Sequence, residues 1–338
     1  MKEAYLYEKL EDKKVQCNLC AFRCKINEDK VGVCDVRKNI DGTLYSLVYG
    51  KTVAKAVDPI EKKPLYHFLP GTLSYSIATV GCNFRCLYCQ NWQISMYPKI
   101  YEGKIVGDDY PPEKVVEDAL RTGCKSIAYT YTEPTVFFEY AIDTARIAKD
   151  KGLKNIFVTN GYMTKEAIDM MDGLIDAANV DLKSFSDAFY LQICGGARVK
   201  HVLDSIEYMK SKGIWVEVTT LIIPNANDDP AELMQIAEHI KSIDPAIPWH
   251  VSRFHPAYQF DNVEPTPISV VKNVRQIGLS MGLKYVYVGN IGADEGEHTY
   301  CPNCGALLIA RYGFEVVSNS IKDGKCPKCG EKIDIVES

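Results

Sequence analysis

The sequence predicts an α/β fold, and more narrowly an open, partial (β/α)6 barrel with a small cysteine-rich unit at each end. Short β-branched runs alternate with helical stretches through the middle of the chain. Near-continuously apolar strands joined by helices favour a parallel sheet that is buried on both faces. Six or seven such units over residues 73–290 are too few for a closed eight-fold barrel. A doubly wound open sheet, the alternative, would contain the same units.

The predicted elements follow one another in regular order. Strands are expected at 73–80, 126–131, 154–160, 178–183, 214–223, 249–254 and 285–289. Helices are expected between them, at 111–123, 137–152, 164–173, 201–213, 229–243 and 268–282. Glycine closes four of these helices, as helix C-termini favour: Gly123, Gly152, Gly213 and Gly282.

We divide the 338 residues into four parts on this basis. They are an N-terminal four-cysteine segment (1–50), a lead-in to the barrel (51–72), the barrel itself (73–292) and a C-terminal four-cysteine unit (293–338). A net charge of −5, with balanced charge at both ends, argues against a nucleic-acid partner. Because the N-terminus lacks an apolar signal region and no apolar run could span a bilayer, we expect a cytoplasmic protein without membrane contact.

Eleven of the 13 cysteines fall into three groups, while Cys124 and Cys194 stand apart. In an unsecreted chain such groups indicate metal sites in a reducing compartment. The central group is a C-x3-C-x2-C triad that follows the first predicted strand. Three thiolates can hold three irons of a [4Fe–4S] cluster and leave the fourth open to a small molecule. A zinc knuckle is the alternative. The triad comprises Cys82, Cys86 and Cys89.

This triad resembles that of the radical S-adenosylmethionine (SAM) superfamily, in which the unique iron binds the amino and carboxylate groups of SAM. After the second predicted strand, Glu133 and Pro134 occupy the place of that family's Gly-Gly-Glu motif, whose acid accepts a hydrogen bond from the SAM ammonium. Tyr131 and Thr132 stand where the family has its two glycines. The alternative role for Glu133 is an acid at a helix N-terminus, favoured by the helix dipole.

Further segments resemble the pyruvate formate-lyase activating enzyme branch, in which they line the SAM pocket. Thr159, Asn160 and Gly161 end the third predicted strand, and Asp181 and Lys183 end the fourth. The branch's carboxylates help to bind a monovalent cation, but Val158 stands where its first aspartate would be, so that cation site is incomplete. The alternatives are a turn at Asn-Gly and a solvated ion pair at the strand end.

The resemblance also assigns two SAM contacts outside these segments. His255, after the sixth predicted strand, stands where the branch carries a histidine that contacts the SAM ribose, although a histidine at a strand end can also be structural. Tyr88, just before the last triad cysteine, is expected to flank the adenine through its backbone. Packing alone is the other explanation for Tyr88.

The C-terminal unit contains two C-P-x-C-G knuckles separated by 21 residues. Each knuckle directs two thiolates inward, and a hairpin between the knuckles would bring the pairs together as a rubredoxin-like, four-thiolate zinc ribbon. A single iron is the alternative, since sulfur ligands do not choose the metal. The predicted ligands are Cys301, Cys304, Cys326 and Cys329.

The N-terminal cysteines have no recognisable ferredoxin spacing. Four thiolates suit structural zinc, which we favour here, or an auxiliary [4Fe–4S] cluster as the alternative. This group, the triad followed by Gln90 and Asn91, and the C-terminal ribbon together resemble the radical SAM component of the AmmeMemoRadiSam system. The N-terminal group comprises Cys17, Cys20, Cys24 and Cys34.

The resemblance implies an oxidoreductase that cleaves SAM reductively and abstracts hydrogen through a 5′-deoxyadenosyl radical. Its partners would be a one-electron donor of the flavodoxin or ferredoxin type and, as for glycyl radical enzyme activases, a glycyl residue of a protein substrate. Radical modification of RNA or of a small molecule is an alternative. A non-catalytic iron–sulfur and zinc protein that binds a partner is the alternative from another class.

Overall fold

Seven parallel strands form one sheet in chain order in the computed structural model, which describes residues 1–337. This unbroken order excludes a doubly wound sheet, whose order reverses at a switch point. The predicted strand positions also agree with the observed ones to within a few residues. The strands are β1 (Leu73–Ala78), β2 (Ser126–Tyr129), β3 (Lys154–Thr159), β4 (Ala177–Asp181), β5 (Trp215–Ile222), β6 (Trp249–Arg253) and β7 (Val286–Gly289).

The barrel is open, as predicted. The strand Ala54–Pro59 pairs antiparallel with β1 and forms one edge of the sheet, while β7 forms the other. Within residues 1–337 no ladder of hydrogen bonds joins these two edges. The sheet thus curls without closing, and the partial (β/α)6 architecture is confirmed.

One helix follows each of the first six parallel strands and covers the outside of the sheet. The four predicted terminal glycines all adopt positive φ angles, between 72° and 99°, and each lies two residues beyond the end of its helix. The helices are α1 (Pro112–Arg121), α2 (Phe138–Asp150), α3 (Lys165–Met171), α4 (Val199–Ser211), α5 (Pro230–Ile243) and α6 (Ile268–Ser280). Shorter helices lie in the connections, at Trp92–Ser95, Tyr97–Ile100 and Asp187–Gln192, with 3-10 turns at Ile60–Lys62, Pro134–Phe137 and Glu295–Glu297.

The lead-in, residues 51–72, does more than connect two parts of the chain. Beyond its antiparallel strand, apolar side chains fill the amino end of the barrel. Ile60, Leu65 and Phe68 are buried there against Ala128 of β2 and Ala177 of β4. This plug excludes water from one end of the barrel, so the opposite, carboxyl end is the one that remains available to a ligand.

The N-terminal segment docks on the carboxyl end of the barrel. Cys20 forms a bridge with Met163, and the Thr164 hydroxyl donates to the Asn18 carbonyl over 2.8 Å. Both barrel residues follow β3. The segment has strands at Lys2–Glu3, Arg37–Ile40 and Thr43–Ser46 in one sheet, and at Tyr7–Lys9, Val15–Cys17 and Lys25–Ile26 in another. Lys51–Thr52 pairs with Asp108–Asp109.

The C-terminal unit docks on the amino end instead. Its strands are Thr299–Tyr300, Leu307–Tyr312 and Glu315–Asn319, which form an antiparallel sheet. The buried Arg311 donates to the Tyr66 carbonyl over 2.8 Å, and Val336 bridges to Phe68 of the plug. The two four-cysteine regions therefore lie at opposite ends of the barrel. Within residues 1–337, none of the helices has the length and apolar character to traverse a bilayer.

Candidate active site

The triad lies on the loop that leaves the carboxyl end of β1. Three hydrogen bonds hold this loop in place. Two are between backbone groups: the Arg85 amide donates to the Cys194 carbonyl, and the Leu87 amide donates to the Ile193 carbonyl, each over 3.0 Å. In the third, the Lys99 ammonium donates to the Cys82 carbonyl over 2.6 Å. All three triad cysteines are free thiols. The amide of Phe84 donates to the Cys82 sulfur over 3.4 Å, the kind of bond that favours a thiolate.

The triad suits a cluster better than a single ion. Four thiolates around one zinc lie about 3.8 Å apart, given Zn–S bonds of about 2.3 Å. No three of the triad's sulfurs and neighbouring ligand atoms meet within 4.8 Å in the described part of the chain. Three sulfurs on one loop that stand apart are compatible with three separate irons.

Glu133 is buried, with 1% of its surface exposed, and hydrogen-bonded at both oxygens. Its Oε1 accepts from the Thr135 amide (3.0 Å) and hydroxyl (2.6 Å) and from the Thr159 hydroxyl (2.7 Å), while its Oε2 accepts from the Asn160 amide (2.8 Å). The carboxylate thus caps the 3-10 turn Pro134–Phe137 and also joins the end of β2 to the end of β3. Burial raises its pKa, although these hydrogen bonds act in the opposite direction.

Asn160 extends this connection to the triad. Its side-chain amide donates to Asn83 Oδ1 over 2.7 Å and lies 4.0 Å from the Cys82 sulfur. Its own Oδ1 accepts from the Tyr162 amide over 3.0 Å, and Gly161 adopts φ +68° with Val180 only 2.7 Å from where a Cβ would stand. The Asn-Gly turn therefore exists, and the same turn aims Asn160 at the triad loop.

Tyr131 adopts φ +63° at a position where the family has glycine. A left-handed backbone costs a bulky L-residue roughly 1–2 kcal/mol. The Tyr131 hydroxyl hydrogen-bonds to Asp58, and the Asn91 side-chain amide donates to the Tyr131 carbonyl over 2.7 Å. These contacts offset the strain, so the backbone retains a conformation suited to glycine although the residue has changed.

Asp181 and Lys183 pair over 3.0 Å beside the triad. Only 13% of the Lys183 side chain is exposed, so this is not a fully solvated pair. Desolvation by itself would lower the pKa of Lys183, but Asp181 and the nearby Cys86 thiol raise it well above the ordinary value. The ammonium also lies 5.8 Å from the Tyr88 ring centre. The Tyr88 side chain itself is buried, so any contact with a nucleotide there would come from its backbone.

Cys194 is the residue that the sequence analysis missed. It was separated from the cysteine groups, yet it lies fully buried beside the triad, where the Tyr88 hydroxyl is 3.9 Å from its sulfur. Contact with Cys194 raises the pKa of the Cys86 thiol. Asn83 was missed as well. Asn83 lies between Cys82 and Cys86, so its position in the triad loop could have identified it as a candidate site residue. Cys194 comes from a loop after β4, and nothing in the sequence around it indicates a contact with the triad.

His255 and His250 lie in different parts of the barrel. His255 is exposed at the carboxyl end of β6, with Nε2 3.3 Å from the Asn290 carbonyl. His250 is buried in the barrel, where Nε2 lies 2.7 Å from the Glu217 carboxylate. Of the two, only His255 is on the same end of the barrel as the triad. Val158 is half-buried, and its side chain has no oxygen to offer a cation.

The C-terminal cysteines form a compact site. Their four sulfurs all lie within 4.8 Å of one another, with 3.6 Å between Cys301 and Cys329 and 3.7 Å between Cys304 and Cys326. These separations match four thiolates around a single ion. A metal can therefore bind here, and the predicted hairpin between the knuckles is present as Leu307–Tyr312 and Glu315–Asn319.

Comparison with known proteins points to one family. A family model described as the radical SAM superfamily matches residues 76–237. The chain is 48% identical to an uncharacterized protein of Methanocaldococcus jannaschii, over 99% of this chain and 100% of that protein. It is 26% identical to a putative glycyl-radical enzyme activating enzyme of the same organism (65% of this chain, 80% of that protein). It is 22% identical to the pyruvate formate-lyase 1-activating enzyme of Escherichia coli (61% and 89%).

Solved structures share the fold. A radical SAM methyltransferase from Sphaerobacter thermophilus superposes with a TM-score of 0.50 at 14% identity, covering 71% of each chain. At this identity the likeness concerns architecture only. It agrees with the open barrel described above.

Proposed function

This chain belongs to the radical SAM superfamily, and we propose that Cys82, Cys86 and Cys89 hold a [4Fe–4S] cluster whose fourth iron binds SAM. A cluster held by these residues would supply the electron for cleavage of SAM to methionine and a 5′-deoxyadenosyl radical, and this radical would take a hydrogen atom from the substrate. The chain is thus a radical SAM enzyme, and its own residues have to hold, orient and shield these groups.

One observation carries the proposal: a continuous chain of hydrogen bonds from the triad loop to Glu133. It runs from Asn83 through Asn160 to the Glu133 carboxylate, and Thr159 donates to the same carboxylate. Three strand ends are thereby fixed relative to one another. A purely structural acid would need only its contacts with the 3-10 turn, whereas this one is also tied to the loop that would carry the cluster.

The charged side chains around the triad are complementary to the ammonium and carboxylate groups of SAM. Glu133 Oε2 accepts one hydrogen bond and keeps capacity for another, from the SAM ammonium. Lys183 lies near Cys86 and supplies a positive charge for the SAM carboxylate. Asp181 fixes the position of Lys183. We assign the ribose to His255 and the adenine to the Tyr88 backbone, as the family resemblance implies.

We propose a glycyl residue of a partner protein as the substrate. The support is the pair of relatives named as activating enzymes. The plug leaves the carboxyl end of the barrel as the side of approach. A donor of the flavodoxin or ferredoxin type would supply the electron. Incubation of the reduced enzyme and SAM with a cell extract should then produce the doublet of a glycyl radical in electron paramagnetic resonance, and its absence would contradict this choice of substrate.

SAM binding tests the site itself. Titration of SAM into the anaerobically reconstituted, reduced protein should change the electron paramagnetic resonance signal of the triad cluster. We expect Glu133→Gln to weaken SAM binding at least tenfold, because a neutral amide replaces the acceptor for the ammonium. Glu166→Gln is the matched control, since that carboxylate is exposed and pairs with Arg23. Equal SAM affinity for both variants would contradict the role of Glu133.

A further inference from the structure

The four N-terminal cysteines line one small cavity instead of converging on one point. The cavity measures about 20 Å³ as the volume open to the centre of a water molecule, more than the roughly 10–15 Å³ that one water needs. Apolar side chains such as Leu19, Ile26 and Val136 complete its wall. The rest of the wall is polar, since Arg37, Asn83 and Thr135 line the cavity with the four cysteines.

The spacing of these cysteines differs from that of a zinc site. Among residues 1–337, the C-terminal four are the only group of three or more metal-ligand side chains whose ligand atoms all lie within 4.8 Å. No three N-terminal sulfurs meet that limit, although tetrahedral zinc would bring thiolates to about 3.8 Å from one another. Thiolates that bind separate irons stand farther apart, because the irons and bridging sulfides lie between them.

Two buried N–H groups on the cavity wall have no acceptor. Arg37 and Asn83 are each 2% exposed, and both line the cavity. Both terminal nitrogens of Arg37 bind Glu139, over 2.8 and 2.7 Å, which leaves its Nε unpartnered. Asn83 accepts from Asn160 through Oδ1, and its Nδ2 is unpartnered. A buried donor without an acceptor is unfavourable, so both donors indicate an anionic group that accepts hydrogen bonds in the cavity.

We propose that Cys17, Cys20, Cys24 and Cys34 hold an auxiliary iron–sulfur cluster and that Arg37 Nε and Asn83 Nδ2 donate to its sulfurs. The separated thiolates, the cavity between them and the two free donors all fit a cluster, whereas one zinc ion would leave the cavity and the donors unused. With four cysteine ligands, this cluster has no iron open to SAM.

The auxiliary site and the triad share a wall. Asn83 lines the cavity and is the neighbour of Cys82. Gly81 packs so closely on the N-terminal segment that a Cβ there would lie 2.6 Å from Val36 and 3.3 Å from the Cys34 carbonyl. This closeness gives the auxiliary cluster a position from which electrons can reach the triad.

Metal and sulfide analysis of a variant without the triad tests the proposal, independently of SAM cleavage. In Cys82→Ala/Cys86→Ala/Cys89→Ala, anaerobic reconstitution should leave about four irons and about four acid-labile sulfides per chain, with a cluster signature in Mössbauer spectra. About two zinc ions per chain with no sulfide would overturn the proposal. One isolated iron without sulfide would belong to the C-terminal ribbon and would equally overturn it.

Further variants of the triad-free protein show which cysteines hold the remaining sulfide. Adding Cys17→Ala/Cys24→Ala should remove the remaining sulfide, whereas adding Cys301→Ala/Cys304→Ala should leave it unchanged. Asn83→Ala retains all four ligands, so it does not depend on whether a cysteine variant folds. Since hydrogen bonds to the sulfurs raise a cluster's reduction potential, this variant should shift the midpoint potential to a more negative value. An unchanged midpoint would contradict the role of Asn83.

Discussion

The two four-cysteine regions contain the same ligands but arrange them in opposite ways. At the C-terminus the four sulfurs converge within 4.8 Å, and Cys329 is exposed. At the N-terminus the sulfurs stand apart around a cavity, and no cysteine of that group is exposed. The first region lies at the plugged end of the barrel and the second beside the triad. Two groups of four cysteines can therefore differ in the metal group that their sulfur positions suit.

The difference comes from how each region is folded. Each C-terminal knuckle is a local turn that ends in a glycine with positive φ, Gly305 at 67° and Gly330 at 78°, so short stretches of chain fix the sulfur positions. The N-terminal cavity needs barrel residues for its wall, among them Asn83, Thr135 and Val136. The ribbon builds its own site, whereas the N-terminal site is completed only when the segment docks.

If the C-terminal cysteines hold zinc, loss of one of these ligands should have the largest effect on folding. Cys326→Ser takes away one of four thiolates, and structural zinc contributes about 10–16 kcal/mol to the folding of small zinc domains. We expect the strands Leu307–Tyr312 and Glu315–Asn319 to lose hydrogen-exchange protection while SAM cleavage continues. Cys124→Ser, at a buried cysteine outside the three groups, is the control. Retained protection in Cys326→Ser would mean that the ribbon needs no metal.

Docking of the N-terminal segment should depend on a buried ion pair. Arg37 and Glu139 form two hydrogen bonds, and their side chains are 3% and 0% exposed. Glu139→Gln leaves the guanidinium without its counter-charge and should cost about 3–5 kcal/mol. The strands Arg37–Ile40 and Thr43–Ser46 should then exchange faster than in wild type. Arg23→Ala breaks an exposed pair with Glu166 between the same two parts and should cost under about 1 kcal/mol. Equal effects would contradict this account of docking.

Docking of the ribbon should instead depend on pH. Burial lowers the pKa of His67 to about 4, although the Glu217 carboxylate acts in the opposite direction. Its ring nitrogens lie 2.6 Å from the Asp334 carbonyl and 2.5 Å from the Tyr287 hydroxyl. The unfolded histidine binds a proton near pH 6.5, whereas the folded one stays neutral until the pH approaches 4. The contribution of neutral His67 to the free energy of unfolding is therefore fully present above pH 6.5. It is lost as the pH falls toward 4, by up to about 3 kcal/mol.

His67→Gln is the matched variant for this prediction. A glutamine retains a donor and an acceptor but does not titrate. Unfolding measured from pH 7 to pH 4 should show a smaller loss of stability in His67→Gln than in wild type. Parallel pH profiles would exclude His67 as the group responsible.

The sequence predicted the barrel well because its signals are local. Apolar strands, helix-terminal glycines and the order of motifs each depend on neighbouring residues, and all of them agree with the sheet order. The contacts of Cys194 with the triad loop could not be predicted, since they join residues about 100 positions apart through a connection of irregular structure. The sequence also could not decide between zinc and an iron–sulfur cluster for the N-terminal cysteines. That choice depends on Asn83 and Val136, which come from the barrel.

Formation of 5′-deoxyadenosine from SAM is the measurement that tests the central claim most directly. Anaerobically reconstituted wild-type protein with a strong one-electron reductant should release 5′-deoxyadenosine and methionine, and Cys86→Ala should release neither because one of the three proposed cluster ligands is gone. A variant of the ribbon, Cys301→Ala/Cys304→Ala, should retain the reaction. Absence of 5′-deoxyadenosine from wild type, or its undiminished release by Cys86→Ala, would contradict a SAM-cleaving cluster at the triad.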